Sequence, residues 1–187
     1  MLRGTPIPFA LTALVCLTTS FACNDDVGNS QEDPDTESGD GDGDGDGDGE
    51  SFPCPRQFVP TNQADLLAWL ETGEYQSWTG ESEVHTSTGP HFGGVRTFVD
   101  ACLGGSLNAS ETERPSGSAA VKELYGDGEE IRGWSVMAKI ASGSGADTWY
   151  WFEIYDDTVY GDDIGLELCS DCHSGGDDFF LSPWPLQ

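Results

Sequence analysis

Basic residues are scarce in this sequence, with 7 Lys and Arg against 34 Asp and Glu, for a formal net charge of −27 at pH 7. Twelve of the acidic residues lie between positions 25 and 50. Residues 51–187 keep 22 acidic and 6 basic residues, a formal charge of −16. A surface of this sign repels phosphate backbones and anionic lipid headgroups. The charge balance therefore excludes nucleic acid as a partner.

The sequence also lacks a hydrophobic run of the roughly 20 residues that a bilayer requires. An apolar stretch from Ile7 to Leu17 follows Arg3 and is typical of an export signal over residues 1–22. Ala22 directly before Cys23 resembles a bacterial lipobox, in which the cysteine is acylated and becomes the mature N-terminus. The alternative is an ordinary secretory signal that is cut nearby. We expect export to the periplasm or outer membrane, with a lipid on Cys23 as the only membrane attachment.

The Gly-Asp repeat at 39–49 contains no apolar residue. Such a segment cannot offset the entropy lost on ordering, and it stays extended by self-repulsion. An EF-hand loop that ended at Glu50 would have Gly39 in its first position, and β-roll repeats need periodic apolar residues. Neither calcium motif fits. We predict a disordered tether over residues 23–50 that holds a domain of residues 51–187 off a membrane.

The segment 51–187 begins with helix signals and continues with strand signals. A capped amphipathic helix is predicted from Thr61 to about Gly73. Four β-type segments follow, separated by Gly, Pro, Asp and Ser: 93–100, 118–125, 131–140 and 148–155. The last three predict an antiparallel meander, with one buried face in 131–140 and a central strand in 148–155. The predicted class is mainly β (α+β), an antiparallel sheet or sandwich with a short N-terminal helix and a C-terminal attachment segment.

The six cysteines divide into groups with different expected fates. One lies in the export signal, Cys23 is the expected lipid anchor, and two belong to a CxxC motif near the C-terminus. Cys54 and Cys102 remain, and in an oxidising compartment we expect them to form a disulfide. Two separate buried thiols are the alternative.

The run Cys169-Ser170-Asp171-Cys172-His173 is the most specific motif in the chain. Two cysteines at this spacing can form thioethers with the vinyl groups of a haem, and the adjacent histidine then ligates the iron. A thioredoxin-like redox pair would need a βαβ context. Zinc would need further ligands, for which only His85 and His91 remain as histidines. We predict haem c, with Cys169 and Cys172 as attachment residues and His173 as the iron ligand.

A sixth iron ligand would have to precede the motif, because no Met, His or Lys follows His173. The upstream candidates are Met137, His85, His91, Lys122 and Lys139. The simpler alternative is an open sixth position, which would bind or activate a small molecule. The loop that carries His85 and His91 is rich in Ser, Thr and Gly, so both are predicted at the surface. A distal-pocket role for His91 is the alternative.

Lys122 is a further candidate because of its place in the strand-like run AAVKELY. A period of two puts Lys122 on the side of Ala120 and Leu124, which points it toward the interior. A buried lysine loses part of its charge and can act as a nucleophile. The alternative is a lysine that snorkels to solvent at a strand edge.

The order of these motifs resembles the cytochrome P-460 family and its relative cytochrome c′-β. The similarity spans residues 90–187 and lies in HFGGVRTFVD, GSAAVKELYG, a Trp-rich strand pair and the C-terminal CxxCH. It implies a β-rich, usually homodimeric haem protein with an open distal face. It also implies a lysine cross-linked to the porphyrin, matched by Lys122, and a pocket-side arginine, matched by Arg96. The acid that relays protons in the hydroxylamine-oxidising members is matched best by Met137, which cannot do so.

These observations predict a tethered haem c protein that binds or oxidises hydroxylamine or nitric oxide at an open iron position. Such a protein would be a hydroxylamine or nitric oxide oxidoreductase with a soluble redox partner. A nitric-oxide carrier or sensor without turnover is one alternative. Plain electron transfer with Met137 as axial ligand is another.

Overall fold

The computed structural model of the protein describes Cys54 and residues 59–187. The predicted export signal, the expected lipid anchor Cys23 and the predicted tether lie outside these residues. Every described residue belongs to one structural unit, Asp46–Gln187. Within the described part of the chain, no helix has the length and apolar character needed to cross a bilayer.

Helix α1, at Gln63–Thr72, is flanked by Asn62 and Gly73, two residues with strong capping preferences. The Asn62 side chain accepts a hydrogen bond from the backbone N–H of Asp65 and so satisfies an otherwise unpaired donor. Gly73 ends the helix with a φ of 70°, a left-handed conformation that glycine adopts without steric cost. A short 3-10 helix follows at Glu74–Ser77. The predicted capped helix is therefore confirmed.

Seven strands of the described part of the chain form a single antiparallel sheet. They are β1 (Thr79–Gly80), β2 (His85–Thr86), β3 (Gly94–Val99), β4 (Ala119–Gly126), β5 (Gly133–Lys139), β6 (Trp149–Tyr155) and β7 (Thr158–Ile164). The order is β1-β3-β4-β5-β6-β7, and β2 pairs with the other end of β3. The predicted mainly β, α+β class is confirmed, in the form of one sheet.

Two further helices were not predicted. Helix α2, at Ala101–Asn108, begins at Asp100, whose side chain accepts a hydrogen bond from the backbone N–H of Leu103. Helix α3, at Glu167–His173, carries the CxxCH motif. A second 3-10 helix, at Ala146–Thr148, precedes β6. The sheet is thus flanked by helices on both sides.

The two faces of the sheet carry separate hydrophobic cores. Helix α1 covers the first face, in a core of Val59, Leu66, Leu70, Tyr75, Phe98, Ala119, Val121, Val136, Ala138, Tyr150 and Phe152. Helix α2, the start of α3 and the C-terminal segment cover the second face, in a core of Val99, Leu103, Ala120, Met137, Trp149, Trp151 and Phe180. Because both faces are covered, the prediction of one buried face for 131–140 was wrong. Strand β6 lies between β5 and β7 and is internal, as its apolar sequence predicts.

Cys54 and Cys102 form a disulfide with a Cα–Cα distance of 4.9 Å. It is the pair that the cysteine count predicts, and Cys102 lies in α2. The two residues are 48 apart in the chain. In the chain-entropy treatment of cross-links, closing a loop of this length stabilises the fold by about 4 kcal/mol. The bond therefore fastens the segment before α1 to the second face of the sheet.

Candidate functional site

A cavity of about 420 Å³ lies between the second face of the sheet and α3. Its wall is mainly apolar, with Val95, Ala120, Met137, Trp151 and Phe180 among the lining residues. Small-molecule and cofactor sites have volumes of about 300–1,000 Å³ and walls of this character. The cavity therefore has the size and chemistry of a ligand site.

Helix α3 contributes the motif residues to this cavity. Cys169, Cys172 and His173 are spaced i, i+3 and i+4, so the helix presents them on one face, and all three line the cavity. Both thiols are free, that of Cys172 exposed and that of Cys169 half-buried. The helix therefore presents two thiols and one imidazole to the same space.

The imidazole of His173 is held by two contacts. Its Nδ1 lies 2.8 Å from the backbone carbonyl oxygen of Phe179, to which it donates when that nitrogen carries the proton. The ring of Trp151 packs edge-on against it, with the centroids 4.8 Å apart. Burial, more than the nearby charges of His91 and Lys122, lowers the pKa of His173. A neutral ring with Nδ1–H bonded to a carbonyl has Nε2 free for a metal, the usual arrangement of a ligating histidine.

Three polar residues form a row across the cavity side of the sheet. Lys122 of β4 is paired with Ser135 of β5, and Ser135 is paired with Glu153 of β6. Paired residues of neighbouring strands point to the same face. All three line the cavity. The interior orientation that period two predicts for Lys122 is therefore the one observed.

Lys122 lies in a partly desolvated environment with two carboxylates near it. Burial lowers the pKa of Lys122 below its ordinary value of 10.5, and the charges of Glu81 and Glu153 oppose that shift. Glu81 also lines the cavity, and its carboxylate accepts a hydrogen bond from the backbone N–H of Thr97 at 2.6 Å. An amine with a lowered pKa is a better nucleophile than an exposed lysine.

Glu153 and His91 form a pair that the sequence analysis did not identify. The His91 Nδ1 lies 2.8 Å from the Glu153 carboxylate, and both side chains are largely buried in the cavity wall. The His91 ring lies 6.3 Å from the ring of His173. The surface position predicted for His91 was wrong, and the distal-pocket alternative agrees with its location. The signal for Glu153 was its place as the single acid in an apolar strand.

His85 lies beside the cavity with a more open environment than His91. Its side chain is 48% exposed, and its Nε2 lies 3.1 Å from the Glu81 carboxylate. The residue also contributes to the cavity lining. Of the two histidines predicted at the surface, only His85 is substantially exposed.

Met137 also lines the cavity and is 7% exposed. It is paired with Trp151 of β6, which in turn packs against His173. Met137 therefore lies in the same cavity as His173, where a candidate sixth ligand is expected.

Arg96 and Lys139 are not among the residues that line the cavity. In β3, Val95 and Thr97 line the cavity, so Arg96 between them faces the first side of the sheet, where its guanidinium lies over the Phe98 ring. The pocket-side role expected for Arg96 was wrong. Lys139 is fully buried in an ion pair with Asp178 at 2.7 Å, which removes it from the candidate sixth ligands.

The residues of the cavity fit a covalently attached haem better than the two alternatives. Burial raises the pKa of Cys169 to about 11, whereas a redox-active CxxC pair needs a lowered thiol pKa. Within the described residues, no group of three or more His, Cys, Asp and Glu is arranged to hold a metal ion. Trp151 lines the cavity, and its buried Nε1 has no hydrogen-bond partner in the described structure. Two free thiols, an oriented imidazole and an apolar wall are what a haem c site requires.

No protein family, curated protein or solved structure matches this chain. The similarity to cytochrome P-460 thus stays a prediction from the motifs of residues 90–187.

Proposed function

We propose that this protein is an exported haem c protein of the cytochrome P-460 type that oxidises or binds a small nitrogen species, hydroxylamine or nitric oxide, at an open iron position. The observation that carries the proposal is the convergence of two sequence features on one cavity. The CxxCH helix supplies one wall, and the row of Lys122, Ser135 and Glu153 supplies another.

Three residues of α3 would hold the haem. Cys169 and Cys172 would attach it through thioethers, and His173 would ligate the iron through Nε2. Haem iron supplies the redox chemistry, and its ligands and surroundings tune the potential. The apolar wall limits the access of water and lowers the local dielectric constant. Electrostatic interactions between the polar residues of the cavity and a bound molecule are stronger in such surroundings.

The Glu153–His91 pair favours turnover over simple carriage. Oxidation of hydroxylamine releases protons as well as electrons, so the site needs a proton acceptor within it. A carboxylate hydrogen-bonded to an imidazole at 2.8 Å can take up a proton and pass it on. Met137, which the sequence similarity assigned to this position, cannot. In this proposal the proton acceptor is Glu153, which comes from β6 and not from the strand that follows Lys122.

Lys122 supports the P-460 assignment through its environment. The similarity implies a covalent link between a lysine of this strand and the porphyrin. Lys122 lines the cavity, and burial lowers its pKa, which is the direction that favours a nucleophilic amine.

The remaining parts of the proposal concern partners and location. We place the protein on the periplasmic side or at the outer membrane, held by a lipid on Cys23. Electrons would pass to a soluble redox protein, and the chain would form a homodimer as the similarity implies. Cys172 and Leu168 of α3 are exposed, which gives such a partner access to the edge of the site.

The visible spectrum of the full chain, matured in a host with haem c assembly machinery, tests this proposal. It would be recorded oxidised, reduced, and reduced with carbon monoxide. We expect covalent haem, a strongly red-shifted reduced Soret band, and loss of that shift in Lys122→Ala. An ordinary high-spin spectrum that responds to carbon monoxide would favour the gas carrier. A low-spin spectrum that becomes high-spin in Met137→Ala would favour electron transfer, and no covalent haem would overturn the proposal.

Turnover of hydroxylamine with an added oxidant separates an enzyme from a carrier. We expect Glu153→Gln to lower kcat by about 10²–10⁴-fold, the usual contribution of a positioned acid or base, with the spectrum of the bound ligand unchanged. Glu123→Gln is the matched control, because Glu123 is a buried, hydrogen-bonded carboxylate on the other face of the sheet. Equal losses in the two variants would contradict the proton-acceptor role.

A further inference from the structure

The segment after α3 makes a tight turn with an unusual backbone. The backbone N–H of Asp177 donates to the Phe180 carbonyl at 3.2 Å, and the N–H of Phe180 donates back to the Asp177 carbonyl at 3.1 Å. The two residues between them, Asp178 and Phe179, both have positive φ, 46° and 69°. Two positive φ values in a two-residue loop are characteristic of a type I′ turn, which favours Asn or Asp followed by Gly. Asp178 suits the first position, whereas Phe179 occupies a place where a side chain is strained.

We propose that the buried Lys139–Asp178 ion pair is a positioning device for His173. It holds this strained turn closed so that the Phe179 carbonyl stays fixed against the imidazole. The proposal rests on the proposed function only for the role of His173 as an iron ligand. The orientation of the ring is a property of the chain itself.

The carboxylate of Asp178 is fixed from several directions. Its Oδ2 accepts hydrogen bonds from the Lys139 Nζ and from the backbone N–H of Arg114, both at 2.7 Å. Its Oδ1 accepts a weaker bond, at 3.3 Å, from the indole N–H of Trp149. The side chains of Lys139 and Asp178 are both 0% exposed. Three other residues of the chain, Lys139, Arg114 and Trp149, thus determine where the first residue of the turn lies.

The Lys139 ammonium is in turn held by groups outside the turn. It donates to the Thr148 hydroxyl at 2.8 Å and to the Gly143 carbonyl, and it lies 4.9 Å from the centre of the Trp149 ring. A buried charge with this many partners cannot follow Asp178 if the turn opens. Opening would leave the Lys139 ammonium in the interior without its counter-charge, so the ion pair opposes relaxation of the strained backbone.

The turn acts on the site through one atom. The Phe179 carbonyl oxygen, one residue beyond Asp178, lies 2.8 Å from the His173 Nδ1. Rotation of the Phe179 peptide would remove this acceptor, and the ring would then exchange between tautomers and orientations. A fixed Nδ1–H bond to a carbonyl sets which nitrogen is free to ligate and how basic it is.

Histidine ¹⁵N NMR on the full chain, before haem is attached, tests the proposal without reference to activity. The chain has 3 histidines, so the His173 signals can be assigned by single substitutions. We expect wild-type His173 to be the Nδ1–H tautomer with a slowly exchanging proton. We expect that signal to be lost in Asp178→Asn and in the double variant Lys139→Met/Asp178→Asn. The double variant leaves no unpaired buried charge, so it decides the matter where the single variant does not fold.

A rescue variant separates positioning from general stability. Adding Phe179→Gly to Asp178→Asn gives the second turn position a residue that adopts positive φ freely, and we expect the His173 Nδ1–H signal to return. Glu123→Gln, which removes a buried carboxylate on the other face of the sheet, should leave the signal in place. Retention of the signal in the folded double variant would overturn the proposal, as would its equal loss in Glu123→Gln.

The haem-loaded chain gives a second readout. We expect the reduction potential to shift in Asp178→Asn and to return toward the wild-type value when Phe179→Gly is added. If haem does not attach, the proposed function fails while the tautomer result stands. If haem attaches and the tautomer is unchanged in the variants, only the positioning role fails.

Discussion

Lys122 and Glu123 are neighbours in β4 that lie in opposite environments, because successive residues of a strand face opposite sides of the sheet. Glu123 is 1% exposed, and its carboxylate accepts hydrogen bonds from Tyr75, Gln76 and Tyr125. Lys122 faces the cavity, where burial lowers its pKa. All the hydrogen bonds of the Glu123 carboxylate serve the fold, whereas the Lys122 amine is available for chemistry.

The buried carboxyl group of Asp100 makes the free energy of unfolding depend on pH. It is 1% exposed, and its Oδ1 accepts hydrogen bonds from the backbone N–H groups of Leu103 and Ala119. Its Oδ2 has no partner in the described structure. Burial, opposed by these hydrogen bonds, raises the pKa of Asp100 from 3.8 to about 6. The folded chain therefore holds this proton more tightly than the unfolded chain does.

The sign of the effect follows from that difference. Between pH 4 and 6 the native state binds more protons at Asp100 than the unfolded state, so the free energy of unfolding falls as pH rises. A pKa raised by about two units corresponds to a decrease of about 3 kcal/mol in the free energy of unfolding. The decrease takes place between pH 4 and 6, and Asp100 causes no further change above pH 6. We expect Asp100→Asn to lack this loss, because the amide still accepts through Oδ1 and carries no charge.

Urea unfolding of both proteins at pH 4, 5, 6 and 7 measures the difference. We expect the stability of Asp100→Asn relative to wild type to increase from pH 4 to pH 6 and then level off. A stability difference that is the same at all four pH values would contradict the raised pKa of Asp100.

The alternation of a strand was sufficient to orient Lys122, and the CxxCH motif was sufficient to group Cys169, Cys172 and His173. The Glu153–His91 contact could not be predicted, since the two residues are 62 apart in the chain and meet only through the register of several strands. The pocket-side position of Arg96 was predicted wrongly because it was inferred from the family resemblance alone. Its face is fixed by the pairing of Thr97 with Lys122.

At the level of elements, the packing of α3 on β7 depends on one glycine. A Cβ at Gly161 would lie 2.7 Å from the Leu166 Cδ2 and 3.7 Å from the Cys169 Sγ. Gly161 therefore allows the start of α3 to approach the sheet closely. A branched side chain here would have to displace the Leu166 side chain, which lies at the start of α3.

We expect Gly161→Val to lower the free energy of unfolding by about 1–3 kcal/mol, the usual range for overpacking, although valine favours strands. We also expect faster modification of the Cys169 thiol by a thiol reagent before haem is attached. Gly105→Ala is the control, because a Cβ at Gly105 has no neighbour within 4 Å and alanine favours the helix. A stabilised Gly161→Val, or unchanged Cys169 reactivity, would show that α3 does not need this close approach.

The elements that were predicted are those with apolar or capping signals of their own. Strands β3 to β6 have strong apolar content, and α1 has an N-cap and a C-terminal glycine. Helix α2 contains two adjacent glycines, which are poor helix formers, and it is fixed instead by Asp100 and by the disulfide. Strand β7 is exposed at six of its seven residues, so it has no apolar pattern to detect. Helix α3 has only seven residues, too few to show a helical period.

At the level of the whole molecule, one sheet separates two kinds of environment. The face under α1 is filled by side chains, whereas the opposite face leaves a cavity beside α3. The domain around that cavity has 22 acidic and 6 basic residues over 51–187. A field of this sign acts on any charged molecule that approaches the site, because electrostatic steering extends over about one Debye length, roughly 10 Å at 0.1 M salt.

Oxidation of the reduced haem-loaded chain by two small complexes of opposite charge measures that field. We expect the rate with hexaammineruthenium(III), a cation, to fall as ionic strength rises, and the rate with hexacyanoferrate(III), an anion, to increase. A chain that lacks residues 39–49 should behave in the same way, since the charge of the domain remains. If the salt dependence disappears with that deletion, the field comes from the Gly-Asp repeat and not from the domain. If the domain carries the field, its redox partner is expected to present a basic surface, because complementary charge accelerates association most at low salt.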